Sequence, residues 1–151
     1  MYKNLTILTL ISILMFSCNS IPDPKLMCYE LIIENGIEML DNKPFSGSCY
    51  TVYEENQEMI DEIKSYKGGI MHGVWAKYYI TGQLRYRGVA REGNIHGLYK
   101  LYRENGTLSE KGKFKEGYRD GVWKYYDLSE KIEKTELFQN REFIGEEYKN
   151  Q

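Results

Sequence analysis

Three cysteines (Cys18, Cys28, Cys49) and two histidines (His72, His96) are the side chains best suited to bind metals or to act as nucleophile and base. His72 and His96 each precede a glycine, and Asp120 holds the matching place 24 residues after His96. Stacked on successive hairpins, such a His-His-Asp row suggests a metal site. Equivalent positions would lie about 10 Å apart, however, across two strand spacings. Zinc ligands sit about 2.0–2.2 Å from their metal, so these three read as surface turn residues. No Gly-x-Ser-x-Gly, Cys-x-x-Cys or phosphate-cradling glycine loop occurs. The carboxylates fall on lysine- and hydroxyl-rich stretches or in worn terminal segments, where solvated surface is the usual role. The expectation is no catalytic residue, no cofactor and no metal.

The elements that must position these residues come from internal repetition. Gly73, Gly97, Gly121 and Gly145 stand 24 apart. Trp75, Tyr99 and Trp123 follow the first three by two residues, and Tyr78, Tyr102 and Tyr126 by five. Tyr66, Ala90, Phe114 and Phe138 precede the four glycines by seven, and Gly69, Gly93 and Gly117 lie four before the first three. In one unit, Tyr99 and Leu101 point to one face of a strand, and Leu98 and Tyr102 to the other. Asn105-Gly106 predicts a two-residue hairpin turn with φ > 0 at both positions. Leu108, Glu110, Gly112 and Phe114 then share one face of the return strand. Gly117 and Gly121 are expected to frame a second turn at Tyr118-Arg119-Asp120.

A lone hairpin is marginal in water, so neighbours must stack. The predicted fold is all-β: one elongated antiparallel sheet of β-hairpin repeats. Repeats are expected near 40–65, 66–89, 90–113 and 114–137, with a partial copy at 138–151, inside a repeat domain spanning 26–151. An earlier, looser copy begins at Gly47, with Leu40 in the column of Tyr66. Met59 and Ile63 sit at helical spacing, and the stretch 128–137 is locally ambiguous, but Ile132 and Phe138 keep the strand columns. Worn, polar end repeats are what a stacked array needs to close itself.

Composition agrees. The chain has 151 residues, enough for one modest domain, with 14 Tyr and 14 Gly, 42% hydrophobic and 28% charged residues. The formal net charge of −2 argues against a protein whose main business is neutralising phosphates, so no nucleic-acid partner is expected.

The N-terminus carries Lys3, an apolar run from Leu5 to Phe16, then Ser17-Cys18. The run is too short to cross a bilayer, which takes about 20 residues, and has the length of an export-signal core. Met15-Phe16-Ser17-Cys18 resembles the lipobox of bacterial lipoproteins. That resemblance implies a signal peptide at 1–17, lipidation of Cys18, a linker over 18–25, and attachment to the cell envelope. Asn19 is not the Asp of inner-membrane retention, so the outer membrane is the favoured site. Cys28 and Cys49 would then remain as an even pair in a disulfide-permissive compartment. A bridge between them would stabilise by roughly 3 kcal/mol; the alternative is two buried thiols, Cys49 standing in the Trp/Tyr column.

The stretch Phe114 to Tyr126, with Gly121-Val122-Trp123-Lys124-Tyr125-Tyr126, resembles a bacterial MORN-type repeat. Gly73-Val74-Trp75-Ala76-Lys77-Tyr78-Tyr79 is similar. Lys43-Pro44-Phe45-Ser46-Gly47 resembles the lead-in of the YwqK-type antitoxin family. Over roughly 31–145 this resemblance implies a non-catalytic interaction protein, docking or neutralising a protein partner in the envelope. The alternative is a glycan or choline-like ligand held by an exposed ladder of Tyr78, Tyr102 and Tyr126.

Overall fold

The structure is a computed structural model describing residues 26–149. The expected signal peptide (1–17), Cys18 and the linker (18–25) lie outside the described residues. The described residues run through thirteen strands: β1 (Leu26–Met27), β2 (Ile32–Glu34), β3 (Ile37–Leu40), β4 (Lys43–Pro44), β5 (Gly47–Val52), β6 (Ile60–Lys67), β7 (Ile70–Tyr78), β8 (Leu84–Arg91), β9 (Asn94–Tyr102), β10 (Leu108–Lys115), β11 (Tyr118–Tyr126), β12 (Ile132–Gln139) and β13 (Glu142–Tyr148). Ten of them form one open sheet in the order β1-β5-β6-β7-β8-β9-β10-β11-β12-β13. Every neighbour from β5 to β13 is an antiparallel hairpin partner, and β1 joins β5 in parallel. The expected all-β sheet of consecutive hairpins is what the chain forms.

Two kinds of turn alternate. At one end, Gly68-Gly69, Glu92-Gly93, Glu116-Gly117 and Asn140-Arg141 are two-residue turns with φ > 0 at both positions. This geometry matches the twist of the strands it joins. The N–H groups of Gly69, Gly93 and Gly117 donate to the carbonyls of Phe45, Met71 and Ile95, one unit earlier. These turns therefore stack on one another. Tyr118, Arg119 and Asp120 are not a turn, as the sequence suggested, but the start of β11. Glu116 adopts the left-handed conformation beside Gly117 and closes the hairpin two residues sooner.

The other end also departs from expectation. Gly106 has φ +85 but Asn105 does not share the positive φ. The Gly106 N–H donates to the Arg103 carbonyl, and the Asn105 side chain accepts from the Thr107 N–H at 3.1 Å. The loop is a four-residue turn closed by one left-handed residue, because the Asn side chain supplies an Asx bond. Gly82 and Glu130 take the same left-handed place in the flanking units. Side chains clamp these loops together: Tyr79 Oη donates to the Tyr102 carbonyl at 3.0 Å, and Arg103 donates to the carbonyls of Tyr126 and Asp127.

At the N-terminal end, β2, β3 and β4 form a separate three-stranded sheet. Leu40 therefore belongs to this small sheet rather than to the column of Tyr66. The sheet docks on the first stacked turn, with the Glu38 N–H donating to the Gly69 carbonyl at 2.9 Å. Cys28 is bonded to Cys49, with Cα atoms 4.9 Å apart. The bridge pins β1 and the following turn to β5. Met59 and Ile63 belong to a loop and strand, and the ambiguous stretch after Leu128 enters β12 at Ile132.

Candidate functional site

Alternation and register give the large sheet two different faces. The first carries an aromatic spine. Trp75 contacts Tyr86 with ring centroids 4.5 Å apart, and the series continues through Tyr99, Phe114, Trp123, Phe138 and Phe143. Trp123 is fully buried. It lies against Gly112, where a Cβ would fall inside the indole, and the Arg119 guanidinium covers it at 4.1 Å. The Trp123 indole N–H donates to the Lys113 carbonyl at 3.1 Å.

Polar groups beside the spine are mutually paired. Arg119 bridges Glu110 at 2.6 Å and Glu136 at 3.3 Å, and Lys134 holds the other oxygen of Glu136 at 2.7 Å. Tyr125 donates its hydroxyl to Glu136. Burial pushes the Glu110 carboxyl above its ordinary range, against the pull of Arg119. Burial acts on Glu136 too, but hydrogen bonds from Lys134 and Tyr125 outweigh it and hold that carboxyl low. Two carboxylates tuned apart are a feature of acid–base sites. Here the same guanidinium grips both and lies over an indole, an arrangement that locks charges in place. A second cluster repeats the logic: Glu62 accepts from the Trp75 indole at 2.8 Å and from Tyr86, and pairs with Lys64.

The opposite face is built differently. Arg87 faces Lys100, Lys100 faces Lys111, and Lys111 faces Lys124 in direct cross-strand register. Four cations thus form one row across β8 to β11. None of the four has an acidic partner within ion-pair distance among the described residues. Like charges set directly opposite destabilise a sheet, so this row carries an unfavourable self-interaction. Glu62, Glu110 and Glu136 are committed to the spine face; on this face Asp120 stands opposite Lys113 in the adjoining row, and Glu147 lies two strands beyond Lys124, neither within ion-pair distance of the four.

Two further rows flank the cations. Two residues along from the cations runs a row that is aliphatic on five of six strands and interrupted by Lys113 on β10: Val74 opposite Val89, Leu98 opposite Lys113, Val122 opposite Leu137. Val89, Leu98, Val122 and Leu137 are between 42% and 52% exposed. A shift in register between β10 and β11 opens a groove of about 370 Å³ here, lined by Leu98, Val122, Lys111, Lys113 and Lys124 among others. A second groove of about 360 Å³ continues it past Val122 and Leu137 to Ile144. On the other side of the cations lie Tyr78, Tyr102 and Tyr126, opposite Leu84, Leu108 and Ile132.

The expected tyrosine ladder therefore exists as a row, with each ring half-buried. The Tyr78 hydroxyl is buried without a partner, and burial raises its pKa while the Arg87 charge opposes that. The more exposed aromatics are Tyr29, Tyr118, Phe143 and Tyr148, all outside the ladder. His72, His96 and Asp120 lie on separate strands near the stacked-turn end. Among the described residues no three His, Cys, Asp or Glu side chains converge on a point that could hold a metal. The cation row is not among the residues expected from sequence, although it has a signal there: Lys100 and Lys124 share one 24-residue column, Arg87 and Lys111 another.

Fold and surface together define an open, single-layer array of hairpin repeats with one self-satisfied face and one unsatisfied face. The chain matches no family model, no curated protein and no solved structure.

Proposed function

We propose that this protein is a non-catalytic docking module, a MORN-like repeat protein tethered to the bacterial cell envelope through a lipid on Cys18. It engages a protein partner through the face opposite the aromatic spine, in the manner implied by the YwqK-type resemblance, an antitoxin-like role included. The observation that carries this reading is the pairing of an exposed aliphatic row with four cations that have no ion-pair partner among the described residues. Exposed apolar surface rimmed by polar groups marks interaction sites. The mutual pairing of Glu110, Glu136, Arg119 and Lys134 supports a structural rather than a chemical role for the titratable cluster.

A choline-like ligand is disfavoured, because the tyrosine row runs beside Arg87 and three lysines that would repel a cation. A glycan stacked on Tyr78, Tyr102 and Tyr126 remains the alternative, and the half-buried rings leave it little flat surface. The full chain, affinity-purified from detergent-solubilised envelope, is expected to bring down a stoichiometric protein that is lost from a K100E/K111E/K124E variant. Retention on peptidoglycan instead, unaffected by that variant, would overturn the reading. The tether has a separate check: wild type should incorporate labelled acyl chain and Cys18→Ala should not.

A further inference from the structure

The shape and charge of the unsatisfied face narrow the partner, on the premise that this face docks a protein. The aliphatic row crosses the strands of β7 to β12, five spacings of about 4.8 Å, or about 24 Å in all. An α-helix covers that length in about 16 residues, and its pitch of about 5.4 Å nearly matches the strand spacing. A helix laid across the strands would therefore set apolar side chains of successive turns against Val89 and Leu98, pass over Lys113 on β10, and set the next two against Val122 and Leu137.

The cation row lies two residues along each strand from the aliphatic row, about 7 Å to one side. It faces the flank of such a helix. Glutamates or aspartates on that flank would meet Arg87, Lys100, Lys111 and Lys124 in turn and remove the like-charge cost of the row. A second copy of this chain does not supply this complement. Its described residues contain a single short 3-10 turn and no α-helix, and the same face of a copy carries four cations rather than a row of acids. An extended strand is equally unsuited, because strands pair along sheet edges and not across a face.

We infer that the face takes an amphipathic α-helix of a partner protein, apolar on one stripe and acidic on one flank of that stripe. Four synthetic probes test it against the full chain in detergent, read by fluorescence anisotropy. These are an 18-residue helix with a leucine stripe and glutamates on one flank, the same helix with lysines there, a shuffled acidic peptide, and a polyuronate chain. The first should bind at least about tenfold more tightly than the others and weaken as salt rises. K100E/K111E/K124E should reverse the preference toward the lysine-flanked helix, with an unchanged thermal melt. Should the triple variant fail to fold, Lys124→Glu alone, an exposed position, must weaken the glutamate-flanked probe selectively.

Equal binding of the shuffled peptide or of polyuronate, absence of binding, or a preference untouched by the charge reversals would each overturn the inference. The premise fails differently. A stoichiometric envelope partner lost from the triple variant, with all four probes alike, leaves the docking module standing and removes the helix. Loss of both signals removes both.

Discussion

Gly112 and Gly145 occupy different columns of the same array and should respond oppositely to a methyl group. A Cβ on Gly112 would enter the Trp123 indole, whereas one on Gly145 meets nothing within 4 Å and the backbone there is ordinary. Gly112→Ala is expected to lose about 1–3 kcal/mol by overpacking, and Gly145→Ala to stay within about 0.5 kcal/mol of wild type, both by urea denaturation. Trp123→Ala should cost about 3–5 kcal/mol. Glu136 gives a pH signature. Burial raises its carboxyl, but the bonds from Lys134 and Tyr125 prevail and set it below the usual 4.5. A carboxyl lower in the folded than the unfolded state stabilises above the unfolded value and loses that contribution as pH falls below it. Glu136→Gln should therefore cost about 1.5–3 kcal/mol at neutral pH and flatten the decline in stability below about pH 4.5. Glu110, raised by burial, works in the opposite sense, losing its contribution as pH climbs past that range.

At the scale of elements, the repeat columns forecast the strands because each column has one physical job. Rings at Trp75, Tyr99 and Trp123 need small partners, and Gly88 and Gly112 supply them. The turns were less legible. Asn105-Gly106 fits a two-residue turn by composition, but an Asx bond to Thr107 favours the longer loop. Glu116-Gly117 closes its hairpin because a glutamate takes a left-handed conformation, which spacing does not announce. Nor could column counting see that Leu40 pairs in a separate sheet. The N-terminal elements are short, and the Cys28–Cys49 bond spans 21 residues. Reduction, or Cys28→Ser, should cost about 3 kcal/mol. Hydrogen exchange should rise first in β1 and the β2–β4 sheet and leave β8 to β11 protected.

For the whole molecule, a net charge of −2 conceals a division that only register reveals. On the aromatic face Glu62, Glu110 and Glu136 are matched by Lys64, Arg119 and Lys134, whereas on the other face Arg87, Lys100, Lys111 and Lys124 run side by side without ion pairs among the described residues. Overall composition argues against a phosphate-neutralising role, yet the assembled sheet offers a local basic surface beside exposed aliphatics. The same sheet could not bury both faces, since no helical layer covers either among the described residues. The unsatisfied face is thus a consequence of the single-layer architecture and the natural place for a partner. The most direct measurement puts a photo-crosslinking amino acid at Leu98 or Val122 on that face, and at Tyr86 or Phe143 on the spine face, in cells making the full chain. The account predicts one discrete crosslinked protein from Leu98 and Val122 and none from Tyr86 or Phe143. A product from the spine positions, or identical products from both faces, would contradict it.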